Sequence, residues 1–595
     1  MIPYPPKPRF ALTLGVTGHR YRRKDTAPGE ADAHARPFDV PAVEAALRDL
    51  FQAVTTTFAA VKDEASDAFA AAAPEFTLVS SLAEGADRLA AHAAIEARFA
   101  LDVVLPCPAS IYASSFDDDA SRGEFDALMT QARACLVLPL AGKAEQPTAE
   151  RLPRSYEAAG LTMLGQSDIL VAVWDGKPAE GRGGTGQIVD EAARRGMPIL
   201  VVDPADGATR ALWPDTFVSE AAARHAEDIA PQAVEACLAA ILRRLIAPPS
   251  SPHEQTGLAE FFAAPISAIP KAGARASVVF DGQNLGHSRT RWPRISAAVA
   301  ASPSNMAAVR RYADALRAAE EVAGRSARRY RTLFLFSSAA SAVASLLIGG
   351  AAHFQEMHLI AATFEFLTVA LVGALVFFAT LRSWHNQWFE AREGVERLRI
   401  VAIPWLLGAW PAGLRPGQSS WPGWYARAIT REQPLFSGAL ADLLPEARDF
   451  LHALVEEQLS YHQRNAKRLE RRDHFLEMIG LCLLVASIGD NAVYLTLRLT
   501  DTSGWRDFES WSLAASIFLP AAATACYGIR LFGDFEDLAR RSRRTAIRLE
   551  AVKARLVGDL NVSALRALAS EAAHAMLSDL EAWRIAVESR RLSAS

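Results

Sequence analysis

Between Thr332 and Ala352 the chain carries no charged residue, and Leu359 to Leu381, Met478 to Leu497 and Trp511 to Ile529 come close to that condition. Crossing a hydrocarbon layer of about 30 Å takes roughly 20 residues of apolar helix. Each stretch meets that length, so the C-terminal half is expected to form an all-α four-helix transmembrane region with long cytoplasmic helices. The interruptions are Glu365, the pair Asp490 and Asn491, and Pro520. An Asp at the centre of a membrane helix costs about 2.5–3.5 kcal/mol on insertion scales, so Glu365 and Asp490 should face protein or water. Either they line a pore shared by several subunits, or they are protonated or hydrogen-bonded within a helix bundle, or Asp490 snorkels towards the nearby interface. Arg325, Arg328, Arg329 and Arg331 precede the first stretch, and Arg382, Arg392, Arg397 and Arg399 follow the second. Lys467, Arg468, Arg471 and Arg472 precede the third, and Arg530, Arg540, Arg541, Arg543 and Arg544 follow the fourth. Cations concentrate on the cytoplasmic side of membrane helices, which places both termini in the cytoplasm. The recurrence reads as a duplicated two-span unit, with Arg329 aligned on Arg471.

Composition excludes several alternatives. A formal charge of −4 over 595 residues implies no nucleic-acid polymer as partner. The five cysteines are scattered, with no CxxC pair and no His cluster at metal-ligand spacing, so neither disulfide, metal site nor cofactor is expected. The opening residues, MIPYPPKPRF, hold no apolar segment of signal-peptide length, and the N-terminal domain is expected to stay in the cytoplasm.

That domain reads as α/β. Strand-like runs at Phe10 to Val16, Phe76 to Ser80, Leu101 to Leu105, Cys135 to Leu138, Asp168 to Trp174 and Pro198 to Val202 alternate with helical patterns. Such alternation is the mark of a doubly wound, Rossmann-like parallel sheet. Ligands of these folds bind at the carboxyl ends of the strands. Three loops there carry suitable groups. The first holds Gly15, Thr17, Gly18, His19 and Arg20, where glycines permit close backbone approach and two cationic or hydrogen-bonding side chains can meet an anion. The second holds Ser81, Glu84, Gly85, Ala86 and Asp87 at a helix start, where backbone amides attract phosphate. The third holds Asp175 and Lys177, followed by Gly183, Gly184 and Thr185 at another helix start. Together they suggest a cleft for phosphate or ribose.

The ordered motifs GVTGHR, SSLAEGADRLAA, LPCPASIYASSF, SDILVAVWDGKP and GGTGQIVDEA resemble the SLOG superfamily, relatives of the LOG phosphoribohydrolases and the DprA proteins, over about the first 205 residues. The hydrophobic half resembles the SLATT type of two-span effector. Together the resemblances imply a bacterial inner-membrane antiphage effector. In such a protein a SLOG-like domain binds a nucleotide signal and a homo-oligomer of membrane helices permeabilises the bilayer. Catalytic LOG enzymes carry PGGxGTxxE. Here an alignment on Thr185 puts Ile188 at the Glu position, and an alignment on Gly186 puts Asp190 there. The missing Glu favours binding over catalysis, with no catalytic residue assigned. A membrane-tethered hydrolase using Glu84 or Asp87 as acid/base group is the alternative.

The expected organisation is residues 1–205 as the nucleotide-binding domain and 206–305 as a helix from Pro231 to Ile246 followed by a Pro-rich linker. Residues 306–440 and 441–595 are then two membrane modules, the second ending in a helical region from Asp534 to Leu592.

Overall fold

The computed structural model describes residues 4–20, 38–142, 146–179, 181–213, 225–266, 310–326, 358–381, 384–409, 420–500, 505–533, 535–558 and 560–592, with a few isolated positions besides. The chain divides into two compact units. Unit 1 comprises Met1–Ala319, Glu393–Ala453 and Leu556–His574, and unit 2 comprises Glu320–Arg392, Leu454–Arg555 and Ala575–Ser595. The contiguous ranges expected from the sequence do not match this division. Residues after the first hydrophobic pair pack with the N-terminal sheet, for reasons given below.

Unit 1 is built on β1 (Ala11–Gly18), β2 (Glu75–Ser80), β3 (Ala100–Leu105), β4 (Ala132–Val137), β5 (Ile169–Val173), β6 (Ile199–Val202), β7 (Thr209–Leu212), β8 (Pro231–Gln232) and β9 (Gly438–Ala439). Their order across the sheet is β8-β7-β6-β5-β1-β2-β3-β4-β9. The strands from β6 to β9 in that order are parallel to their neighbours, while β7 and β8 run antiparallel. The chain winds outward from β1 towards β4, then returns to β5 on the other side of β1, so the order reverses between β1 and β5. All five residues of β5 are buried, as expected of a strand covered on both faces.

Helix α1 (Val40–Glu64) starts where the Asp39 carboxylate accepts from the Ala42 N–H at 3.1 Å, with Pro41 in its first turn. Val43, Leu47, Leu50, Phe51, Val54, Phe58 and Val61 recur every three or four residues and are all buried. At roughly 1.5–3 kcal/mol per large side chain, this stripe is a main term in holding α1 to the sheet. It packs against α2 (Ala86–Glu96) and α7 (Val234–Ile246). Helices α3 (Ala109–Ala113) and α4 (Asp119–Gln131) lie between β3 and β4 in the chain, and α5 (Thr148–Gln166) packs against α6 (Thr185–Arg194). An added side chain on Gly15 would strike Met163 and Ser167 beside α5, whereas one on Gly18 would strike Ala86 of α2. Positions three apart on a strand point to opposite faces, so α2 and α5 cover opposite sides of β1.

Three readings of the sequence change here. Pro231 sits in β8 and helix α7 begins at Val234, because Pro231 is drawn into pairing with Leu212. The proline-rich stretch expected as a linker contains α8 (Pro252–Ala263), whose Ser251 side chain caps it and whose Phe261 is buried against Trp421 and Tyr425. The C-terminal helical region is broken into two by Gly558, which adopts a left-handed conformation at φ 89°. The first hydrophobic stretch, Thr332 to Ala352, lies outside the described residues apart from Thr332.

Unit 2 contains α9 (His358–Leu381), which coincides with the second hydrophobic stretch, and the start of α10 (Trp384–Leu406). After α11 (Trp421–Arg431) in unit 1 comes α12 (Leu440–Leu499), then α13 (Trp505–Gly533), α14 (Phe535–Arg555) and α15 (Val562–Leu592). From Leu454 onwards α12 pairs antiparallel with α13 and α14. Glu456 meets Lys553 at 3.2 Å, Asn465 meets Ser542 at 3.1 Å, Asp473 meets Arg530 at 2.8 Å and Asp490 meets Ser512 at 2.8 Å. Partner numbers fall on one arm as they rise on the other, which is a helical hairpin. Among the described residues, Leu440–Leu499 and Trp511–Arg555 are long and apolar enough to cross a membrane, with only 6% and 11% of their apolar windows buried. Leu481, Val485, Ile488 and Leu495 are each more than half exposed, the reverse of what a water-soluble helix pair presents.

Candidate functional site

Strand order reverses between β1 and β5, and doubly wound sheets hold their ligands at the carboxyl ends of the strands beside such a point. Both strand ends carry polar side chains. Beyond β1, His19 Nε2 lies 3.1 Å from Asp175 Oδ1 beyond β5, with the two side chains 14% and 12% exposed. Backbone bonds fix this pair. The His19 N–H donates to the Val173 carbonyl at 3.2 Å, and the His19 carbonyl accepts from the Ala86 N–H at 3.2 Å. The loop after β1 is thereby tied to β5 and to the first turn of α2. Asp175 also accepts from the Lys177 N–H at 3.1 Å and lies 3.7 Å from its ammonium.

The loop after β2 is bent through two left-handed residues, Leu82 at φ 53° and Gly85 at φ 95°. A left-handed leucine is costly, and such strain concentrates at functional sites. Here it is held by the Ser80 hydroxyl, which accepts from the Leu82 N–H at 3.0 Å, and by Arg88, which donates to the Leu82 carbonyl at 3.2 Å. Asp87 is 5% exposed and its carboxylate accepts from the Ala83 N–H at 3.4 Å. Burial pushes the Asp87 carboxyl up to about 7, against the opposing pull of that amide and of the Arg20 and Arg88 charges. Glu84 is engaged elsewhere. It accepts from the Asp117 N–H at 2.9 Å and from the Ser121 hydroxyl, which fastens the start of α4.

Two residues not singled out from the sequence connect these loops. Tyr156 on α5 lies under Arg20, whose guanidinium is 5.6 Å from the ring centre, and its backbone backs onto Gly183. A Cβ on Gly183 would stand 2.6 Å from the Glu157 nitrogen, and Gly183 is left-handed at φ 78°. Arg88, 2% exposed, donates to the carbonyl and hydroxyl of Ser121 and stacks 4.6 Å over Phe116, leaving its Nη2 buried without a hydrogen bond. Tyr112, in the LPCPASIYASSF motif, is fully buried in the same cluster, and burial raises its hydroxyl far above the ordinary range. An isolated Tyr on a helix carries no sequence signal, whereas Arg88 and Tyr112 lay inside the quoted motifs.

The sequence-derived residues separate into groups. His19, Asp175 and Lys177 meet directly; Arg20 and Asp87 share one electrostatic cluster; Gly18, Gly85 and Ala86 shape the backbone around them. Gly15 and Thr17 lie within β1 rather than in the loop beyond it, and Gly15 serves to admit Met163 and Ser167. Gly184 caps α6 and Thr185 is its buried first residue. The Gln187 side chain accepts from the Gly183 N–H at 2.7 Å and donates to Glu157 at 2.7 Å, so it organises the glycine turn. Of the two positions aligned with the LOG glutamate, Ile188 is a buried core residue, and Asp190 accepts from the Ala226 N–H at 3.0 Å.

The opposite ends of the strands are closed. Asp168, just before β5, receives Arg431 from α11 through two bonds at 2.8 and 2.9 Å, and both side chains are 4% exposed. Asp102 on β3 pairs with Arg133 at 2.7 Å and accepts from the Leu435 N–H at 3.0 Å. Ten of the eleven residues of α11 are buried, with Trp424 donating to the Ile246 carbonyl at 2.7 Å. The cavity left there, about 20 Å³, has room for a water and not for a ligand.

In unit 2 the Ser512 hydroxyl donates to Asp490, and Asn491 donates to the Ser487 carbonyl at 2.8 Å, both within the hairpin. The side chain of Glu365 lies outside the described residues. Among the described residues no group of acidic, His or Cys side chains could hold a metal ion. No protein-family model, curated protein or solved structure matches the chain.

Proposed function

We propose that the loops at the carboxyl ends of β1 and β5 bind a phosphorylated nucleotide as a signal and that the chain is a ligand-gated membrane effector. The observation that carries the first step is the meeting of His19 and Asp175 across the point where strand order reverses, with Arg20 and the α2 N-terminus beside them. Imidazole, guanidinium and backbone amides suit a phosphate, while Asp175 suits ribose hydroxyls. The second step rests on the long, outwardly apolar hairpin of unit 2. In this reading four spans cross the inner membrane with both termini cytoplasmic, and several copies assemble, because four helices in one subunit make a poor pore. The sequence resemblance supplies the setting, antiphage defence. A ligand shifts such an equilibrium only by its differential affinity, and a hundredfold preference corresponds to about 2.7 kcal/mol.

The test is isothermal titration of the detergent-solubilised full chain with cyclic oligonucleotides and NAD-derived nucleotides, followed by dye efflux from liposomes carrying the protein. One nucleotide should bind saturably and unchanged, trigger efflux, and lose at least tenfold in affinity in His19→Ala. Efflux indifferent to every nucleotide would sink the effector step. Asp87 supports a second reading, hydrolysis, since a carboxyl near neutrality can exchange protons. In that case product would accumulate during titration, and Asp87→Asn would abolish turnover while retaining binding.

A further inference from the structure

On α12, Arg464, Lys467, Arg468, Arg471 and Arg472 recur at intervals of three and four and form one exposed stripe that ends at Phe475, itself 63% exposed. These six residues line an open recess of about 550 Å³. We propose that the stripe is a docking shelf for the headgroups of anionic phospholipids; the proposal rests on the reading that the hairpin spans a bilayer.

Charge balance is the first argument. The acidic residues of the same stretch are already taken: Glu470 pairs with Arg543 at 2.6 Å, and Asp473 and Glu477 lie 2.8 and 3.5 Å from Arg530. Among the described residues none of the five stripe cations has an ion pair. Like charges at i,i+3 and i,i+4 destabilise a helix, and here they repeat along about two and a half turns, so an external anion relieves a repulsion the protein leaves standing. Depth is the second. The apolar stretch begins at Met478, about 9 Å along the helix from Arg472. The headgroup layer on each side of the hydrocarbon is roughly 5–8 Å thick. Phe475 therefore stands in the headgroup layer, Arg471 and Arg472 at its outer edge where lipid phosphates are within reach of their side chains, and Arg464 about 12 Å farther into water. Surface potential from anionic lipid falls away within a screening length, so the inner pair should dominate.

The experiment extracts the full chain from liposomes of mixed phosphatidylcholine and phosphatidylglycerol and counts retained lipids by native mass spectrometry. Phosphatidylglycerol should be enriched about tenfold over its bulk share. Enrichment should fall as salt rises from about 0.1 to about 1 M, where the screening length shrinks from ~10 to ~3 Å. It should fall to the bulk ratio in R471Q/R472Q, fall less in R464Q/K467Q, and persist in R471K/R472K. No headgroup preference in the wild type overturns the proposal, as does a preference that R471Q/R472Q leaves intact. So does binding of inorganic tripolyphosphate to the stripe without lipid enrichment, which would make the occupant a soluble polyanion. The salt series needs no variant and decides the matter even if a substitution impairs folding. Lipid retained without preference defeats only this proposal, whereas no retained lipid of either kind defeats the membrane reading itself.

Discussion

Two buried charges show how single residues set the behaviour of unit 1. Asp87 has an ordinary value of 3.8 and a folded value of about 7, so the fold favours its neutral form. The folded state then binds more protons than the unfolded chain between those values. Its contribution to stability is complete below about pH 4 and is lost as pH rises through about 7, an effect on the order of a few kcal/mol. Thermal melts of the full chain from pH 5 to 8 should show a declining midpoint, and Asp87→Asn should flatten that decline. An unchanged slope in the variant would mean that Asp87 is ionised throughout. Arg431 makes the opposite case. Removing it leaves Asp168 charged and dry, which costs about 3–5 kcal/mol. Arg431→Ala should therefore depress the melting of the α/β unit severely, and adding Asp168→Asn should restore much of the loss. A double variant no better than the single one would show that the loss comes from the packing and hydrogen bonds of Arg431 and not from an unpaired charge on Asp168.

At the level of elements, β1 to β6, six of the seven parallel strands, and the helices between them were legible because apolar runs alternate with amphipathic ones. The strands β7 to β9 were not. Four-residue and two-residue strands such as Thr209–Leu212 and Gly438–Ala439 are too short for periodicity, and they form only because an edge of the sheet is waiting. The site was half legible. Glycine punctuation located the loops, but it did not distinguish Gly15, which admits α5, from Gly18, which lets α2 approach β1. A methyl group on Gly18 would stand 2.3 Å from the Ala86 Cβ and 2.9 Å from the Val173 Cβ, atoms that cannot move without their backbones. Gly18→Ala should lower stability by about 1–3 kcal/mol. Gly181→Ala, where nothing lies within 4 Å of the added carbon, should be neutral. Equal melting of the two variants would mean that the contact between β1 and α2 is looser than described. The proline stretch misled for a related reason: Pro252 begins α8 instead of ending order, because Ser251 caps it.

For the whole molecule, the chief departure from sequence reasoning is that domain and chain order disagree. Hydropathy marks where apolar stretches lie and says nothing about where the intervening polar segment packs, so residues 393–453 were assigned to the membrane region although Arg431, Trp424 and Leu435 complete the sheet. A fragment ending at Asp203 should consequently fail to fold: it lacks β7, β8, β9, α7 and α11 and leaves Asp168 and Asp102 short of partners. Circular dichroism and limited proteolysis of that fragment should show a loose, rapidly digested chain, and a sharply melting, resistant one would show that the inserted segment is dispensable. The Asp168–Arg431 bond also has a temporal meaning. The two residues are 263 positions apart. At 5–20 residues per second, a ribosome takes roughly 13–50 s between them. Throughout that interval the nascent sheet exists without its last strand and its closing arginine, and the apolar helix His358–Leu381 emerges within it. Maturation of the α/β unit is therefore a late event in biosynthesis, reached only after the apolar helix His358–Leu381 has been made.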